Sequence, residues 1–164
     1  MKKSIAVDEL ELYEPRPEEL WFRRDMLADP ATMSYNHAWG GTISFPESAW
    51  PGWYDRWVAN PGGLRFYRYL RLRESGVFVG EAALHLDPER NIWLADVIVP
   101  AACRGRGCGT AGLLLLCRAA ADRGIRVLRD EIAGDNPAIS LFLKAGFTEE
   151  FRTEKTVMVK KVLF

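Results

Sequence analysis

The stretch CRGRGCGTAGLLLLC, Cys103 to Cys117, sets four glycines (Gly105, Gly107, Gly109 and Gly112) at the mouth of an apolar helix. Glycine is a poor helix former and is used where backbone must bend freely or come close to a ligand. Successive backbone N–H groups in such a turn, leading into a helix N-terminus, make a concave anion site that the helix dipole favours further. Arg104 and Arg106 add full charges beside it. The expected ligand therefore carries phosphate, most economically a pyrophosphate.

The surrounding pattern places this loop in a mixed α/β chain. SIAVDELELYE alternates as a strand does, and PRPEELWFRRDMLADP reads as a helix with Pro17 in its first turn and Pro30 past its end. Residues Thr32 to Gly63 hold four of the six tryptophans, and Trp50, Trp53, Tyr54 and Trp57 fall at helical spacing, interrupted by Pro51-Gly52. LRFYRYLRLRES, GVFVGEAALHLD and RNIWLADVIVP are three strands joined by short turns, which argues an antiparallel meander. In the first of these, Arg65, Tyr67, Tyr69, Arg71 and Arg73 share a face that is expected to be wetted. After the glycine loop come a helix ending near Arg123-Gly124, the strand IRVLRDEIA, a short helix capped by Asn136 with Pro137 next to it, and one or two closing strands. The expected fold class is α+β, a single domain over residues 1–164 with a mostly antiparallel mixed sheet of about six or seven strands flanked by about four helices. Its parts are a strand and helices with an aromatic segment (1–60), antiparallel strands (64–99), the glycine loop with its helix, strand and short second helix (100–147), and the closing strands (148–164).

Three phosphate sites compete for the loop. A P-loop needs Gly-Lys-Ser/Thr at the helix start, and no lysine stands there. Gly107, Gly109 and Gly112 satisfy the dinucleotide pattern G-x-G-x-x-G, with Asp130 or Glu131 about twenty residues on. However, the preceding strand ends near Val99, too early for that fingerprint, and few residues remain to complete a parallel nucleotide-binding sheet. The third site rests on a resemblance. VIVPAACRGRGCGTAGLLLL is similar to the coenzyme A signature of the GNAT superfamily of acetyl-CoA-dependent N-acetyltransferases, its Arg/Gln-x-x-Gly-x-Gly/Ala pattern met by Arg104, Gly107 and Gly109. DEIAGDNPAISLFLKAGF resembles the superfamily's next motif, ending in Gly146-Phe147.

That resemblance implies a GNAT fold and acetyl-CoA as acyl-donor cosubstrate. The backbone of Val97, Ile98 and Val99 would pair with the pantetheine arm, and amides from Gly105, Arg106, Gly107, Cys108, Gly109 and Thr110 would hold the pyrophosphate. Asn136 would contact the cofactor, with Phe142 beside it. A β-carbon at Gly107 or Gly109 would crowd the phosphates. The implied activity is direct acetyl transfer to a primary amine, of a small molecule or a peptide terminus.

Acetylating a lysine-like amine, with a pKa near 10.4, requires roughly 4–5 kcal/mol of deprotonation at pH 7, so a base or a desolvated pocket must help. Glu131 matches a position where some family members carry a general base; a strand-end surface carboxylate is the alternative. Asp96 and Glu81 are further carboxylate candidates. Many members place a tyrosine acid four residues before the Gly-Phe pair. Here that position is Phe142, which cannot donate a proton, so Tyr35 or Tyr54 from the aromatic segment is the substitute. Tyr35, Asn36, His37, Trp39, Trp50, Trp53 and Tyr54 would suit a flat or cationic acceptor. The absence of a tyrosine at Phe142 also motivates a different class, a coenzyme A-binding sensor without turnover. An NAD-binding oxidoreductase is the third option.

Composition narrows the partners. With 22 basic and 22 acidic residues no global field recruits nucleic acid or an anionic membrane. Three cysteines and two histidines give no zinc spacing, so no metal is expected. Acids interrupt MKKSIAVDEL before an export signal develops, and no apolar run is long enough to span a membrane. Reduced thiols and a cytoplasmic location are expected, and the sequence leaves a homodimer open.

Overall fold

The computed structural model describes Ser4–Phe164. Its centre is one seven-stranded sheet in the order β1-β2-β3-β4-β5-β7-β6. The strands are β1 (Leu10–Tyr13), β2 (Arg65–Leu72), β3 (Phe78–Asp87), β4 (Ile92–Ile98), β5 (Val127–Ala133), β6 (Thr148–Arg152) and β7 (Thr156–Val162). Four α-helices accompany them: α1 (Trp21–Ala28), α2 (Trp50–Tyr54), α3 (Cys108–Asp122) and α4 (Ala138–Lys144). The expected antiparallel meander is β2-β3-β4, and both closing strands are present.

One parallel contact joins the two halves of the sheet. β4 runs into α3 and returns as β5, a crossover that needs a helix because parallel neighbours cannot be joined by a tight turn. β4 pairs with β3 along its whole length, and β5 pairs with β7 likewise. Between β4 and β5 the pairing is confined to Trp93↔Leu128 and Leu94↔Arg129. Past Leu94 and Arg129 the two strands diverge into a V.

Apolar side chains pack on both faces of the sheet. On one face α3 inserts Leu113 and Leu116, both fully buried, against Leu70, Leu84, Ala95 and Leu128. Each such leucine contributes about 2 kcal/mol by leaving water. On the other face Tyr67 and Tyr69 are buried with Leu20, Leu27, Met33 and Trp53. This corrects the expected wetted face of β2. The arginines lie toward the strand's ends, while the two central tyrosines sit under the aromatic segment, Tyr67 edge-on to Trp53 at 4.7 Å.

Two expected elements are shorter than the sequence pattern implied. The first strand is only Leu10–Tyr13, preceded by a 3-10 turn over Val7–Glu9. The tryptophan helix is one turn and a half of α-helix leading into a π turn, Asp55–Ala59, closed by Asn60 in the left-handed conformation. Pro51 and Gly52 at its start account for the irregularity.

Candidate active site

The glycine loop does two jobs. Gly105 and Gly107 have φ of +80° and +84°, a region side-chain-bearing residues avoid, and they turn the chain from Arg104 into α3. Gly107 stands immediately before the helix, so amides of the first α3 turn face the cleft without intrahelical partners. Gly109 and Gly112 serve packing instead. A β-carbon on Gly109 would come within 2.3 Å of Leu141 Cδ1 on α4, and one on Gly112 within 2.5 Å of Leu70 Cδ1. For Gly109 the crowding predicted from sequence therefore falls on a neighbouring helix.

A cleft of about 400 Å³ opens over this loop and along the free side of β4. It is lined by Val97 and Val99, by Gly105, Gly107, Cys108, Gly109 and Thr110, and across the way by α4. Ser140, Leu141 and Lys144 contribute from α4, and Asn136 and Pro137 from the turn before it. Asn136 Oδ1 accepts the Ala138 N–H at 2.8 Å, the expected cap of this short helix. Ser140 and Lys144 were missed in the sequence, although four-residue spacing on a helix places both on one face. Cys108 is buried, and that burial pushes its thiol pKa up, which suits a packing role.

Arg104, at the start of the glycine loop, is also held by its protein neighbours. Its Nε donates to the Val99 carbonyl at 3.1 Å, and its Nη2 donates to the Thr32 carbonyl at 2.6 Å and the Tyr35 hydroxyl at 2.8 Å. Its guanidinium also lies 4.7 Å from the Tyr35 ring centre. The guanidinium lines the first cleft and also ties the glycine loop to the segment before Trp39.

A second cleft of about 370 Å³ meets the first at Tyr35, Val97, Asn136 and Ala138. Aromatic walls come from Trp39, Trp53 and Trp57, with Ile98 beside Val97. The charged groups come from four elements: Arg23 on α1, Glu81 and His85 on β3, Asp96 on β4, Asp130 and Glu131 on β5.

These carboxylates differ sharply in their surroundings. Glu81 is buried and accepts both of its contacts with Arg23 Nη1, at 2.7 and 2.6 Å, as well as the Tyr67 hydroxyl. Burial alone would favour a neutral Arg23, but Glu81 outweighs it and the guanidinium's pKa is raised. Arg23 is also sandwiched near the Trp53 and Phe45 rings, at 4.5 and 5.2 Å. Glu81, a candidate base in the sequence, is thus consumed by a structural ion pair. Glu131 accepts from Arg90 Nη1 at 3.1 Å and from Thr156 Oγ1 at 3.2 Å. Asp96 Oδ2 lies 3.2 Å from His85 Nδ1, close enough to attract it but not aligned for a hydrogen bond.

Asp130 has no such partner. It is the first residue of β5 beyond the last pair with β4, deep in the V, enclosed by protein yet still reached by solvent. Burial and the neighbouring Asp96 raise its carboxyl pKa well above the usual range, with Glu131 adding to the effect.

The other candidates fall in varied surroundings. Tyr35 lines both clefts, with its hydroxyl on Arg104. Tyr54 is not brought to either: its hydroxyl donates to the Pro15 carbonyl at 2.7 Å in a separate depression beside Leu20 and Trp50. Phe142 is 2 % exposed and packs edge-on against Phe147 at 5.0 Å, so the motif's tyrosine position holds a core side chain at the edge of the second cleft. His37 is exposed and faces Asp135 at 3.2 Å. Among the described residues no cluster suited to a metal ion occurs, and no helix is long and apolar enough to cross a membrane.

The mixed sheet is thus splayed between two parallel central strands, with a glycine loop at one end of the split. The family model for the acetyltransferase (GNAT) family matches residues 24–147, and the chain belongs to that family. Among solved structures, the spermidine N-acetyltransferase of Vibrio cholerae in complex with CoA and spermine superposes with a TM-score of 0.79 at 14% identity, over 95% of this chain and 96% of the other. The microcin C7 self-immunity acetyltransferase in complex with acetyl-CoA and AMP gives 0.75 at 16% identity, over 99% and 97%. A GNAT-family acetyltransferase from Bacillus anthracis gives 0.76 at 11% identity, over 94% and 95%. No curated relative matches the chain.

Proposed function

We propose that this chain transfers the acetyl group of acetyl-CoA to a primary amine by direct attack. The observation that carries this reading is the meeting of two clefts at the V between β4 and β5, one floored by a glycine loop and the other edged by carboxylates. The first suits coenzyme A by the chemistry of its donors. The unpaired side of β4 at Val97–Val99 offers main-chain groups to the amides of the pantetheine arm, as an added strand would. Amides of the Gly105–Thr110 turn face a pyrophosphate, and Lys144 supplies a cation at the far wall. Val97 and Asn136, common to both clefts, mark where the thioester would lie.

The second cleft suits an ammonium group. Arg23 is neutralised by Glu81 and Glu131 is met by Arg90, which leaves Asp96 and Asp130 to set its potential, and tryptophan rings to receive an alkyl or cationic chain. Structural neighbours in complex with CoA and spermine, and with acetyl-CoA and AMP, support acetyl-CoA as the donor.

Calorimetry with acetyl-CoA and NAD, then thiol release from acetyl-CoA in the presence of spermidine, Nα-acetyl-lysine and an alanyl peptide, tests the reading. The expected result is micromolar acetyl-CoA binding, no NAD binding, and amine-dependent thiol release. Binding without release for any amine would turn the assignment to a coenzyme A sensor. Tighter NAD binding would overturn it altogether.

A further inference from the structure

We propose that Asp130, with Asp96 beside it, is the group that accepts the proton of the incoming ammonium, in place of Glu131. This inference rests on the acetyl-transfer reading. The geometry separates the two residues although they are adjacent in sequence. Glu131 is held by Arg90 and Thr156, and an acid that is already accepting from a cation is a weak base. Asp130 stands at the apex of the V, one position beyond Arg129, where β4 and β5 part. No side-chain hydrogen bond or ion pair occupies its oxygens among the described residues, and its favourable contact is the Glu131 amide.

The groups facing Asp130 define its behaviour. From β4 comes Asp96, and from β3 His85, which approaches Asp96 at 3.2 Å. From its own strand comes Glu131, already paired. α4 presents Ala138 and Phe142, both apolar, and the Arg23–Glu81 pair farther along the cleft is internally neutral. Burial and the neighbouring Asp96 carboxylate both disfavour the charged form of Asp130, so Asp130 retains a proton to higher pH than an ordinary carboxylate would. A base whose affinity for protons is raised in this way is better matched to an amine near neutral pH.

The balance is simple. The ammonium gives one proton to the Asp130 carboxylate, and the neutral nitrogen forms a C–N bond at the thioester carbonyl. The C–S bond breaks, the nitrogen loses its second proton to the departing sulfur, and Asp130 returns its own proton to water. The products are the N-acetyl amine, the coenzyme A thiol and one proton.

The test is the pH dependence of kcat/KM, measured with saturating acetyl-CoA and whichever of spermidine, Nα-acetyl-lysine and the alanyl peptide reacts fastest. The unaltered protein should lose activity on the acid side with an apparent pKa above the usual carboxylate range. Asp130→Asn should lower kcat/KM at least about 100-fold and abolish that acid limb, while the KM for acetyl-CoA stays within about threefold. Asp130→Glu should restore part of the rate and the limb; Glu131→Gln should keep the limb in place. An acid limb that persists in Asp130→Asn, or that vanishes in Glu131→Gln, overturns the assignment while leaving acetyl transfer intact. The absence of thiol release with any amine overturns both.

Discussion

Arg104 stacks on the Tyr35 ring and donates to the Tyr35 hydroxyl, so one side chain from the glycine loop fastens the wall shared by the two clefts. The same guanidinium reaches the Val99 and Thr32 carbonyls, which joins the end of β4 to the segment before the aromatic helices. The residue that the family resemblance assigns to phosphate lines the first cleft and is held there by protein acceptors.

Arg104→Gln should therefore act chiefly on the amine side. Losing charged hydrogen bonds of this kind destabilises by about 1.5–3 kcal/mol apiece at most, so a lower Tm is expected. The KM for the amine should rise about tenfold or more, roughly 1.4 kcal/mol, with a smaller change in acetyl-CoA affinity. A large drop in acetyl-CoA affinity with an unchanged amine KM would return Arg104 to the phosphate.

Gly109 faces α4, not open space, and its prediction comes from that contact. Gly109→Ala places a methyl group against Leu141 and should destabilise by about 1–3 kcal/mol through overpacking. Because the atom it meets is the far end of the flexible Leu141 side chain, shortening that side chain relieves the clash. A double-mutant cycle of Gly109→Ala with Leu141→Ala, read by urea denaturation, should give a favourable coupling of about 1 kcal/mol or more. Strict additivity would mean that the methyl group is accommodated elsewhere.

The glycine-loop cleft was legible in the sequence and the second cleft hardly at all. The glycine loop is local: its turn, its bare amides and the start of its helix lie within about ten consecutive residues, and residue types alone expose the chemistry. The second cleft is assembled by register. His85, Asp96 and Asp130 become neighbours only because β3 pairs with β4 and β4 touches β5 at two positions. The misjudged face of β2 has a similar cause. Alternation located Tyr67 and Tyr69 on one side correctly, but the cover on that side comes from Leu20, Leu27 and Trp53, far away in sequence. Asp130 was visible only as an acid of the dinucleotide pattern near a strand end; that no side chain pairs with it is a product of register.

Glu81 and Arg23 form a buried pair whose removal should be felt as stability before activity. Glu81→Ala leaves the Arg23 guanidinium and the Tyr67 hydroxyl without their acceptor. Breaking a buried pair from one side destabilises by about 3–5 kcal/mol. The companion Arg23→Met/Glu81→Met removes both charges and should recover much of that loss, as measured by guanidinium denaturation. If Glu81→Ala alone is near neutral in stability, water must already reach the pair.

Thiol chemistry offers a check on the first cleft that needs no turnover. Cys108 and Cys117 are buried, and burial raises both thiol pKa values, so both should react slowly. Cys103 is only partly buried and lines the cleft. One thiol per chain should therefore react quickly with an aromatic disulfide reagent, and peptide mapping should place it at Cys103. Saturating acetyl-CoA should slow that reaction several-fold. Unchanged labelling in the presence of bound acetyl-CoA would put the cofactor somewhere else.

Asp130 should also leave a mark on the pH dependence of folding, and the sign is fixed by the direction of its shift. Its pKa is raised in the folded chain by burial and by Asp96, while the unfolded chain has the ordinary value near 3.9. The folded state therefore holds the proton more tightly than the unfolded state does. That preference stabilises the fold fully below about pH 4, and it fades as pH rises through the folded-state pKa. Above that point the buried charge is a net liability, which Asp130→Asn removes. Thermal unfolding should show Asp130→Asn more stable than the unaltered protein at pH 8, with the advantage shrinking as pH falls and gone near pH 4. A difference in Tm that is constant across this range would mean that the carboxylate is well solvated or paired in solution, which would also weaken its claim to the proton of the amine.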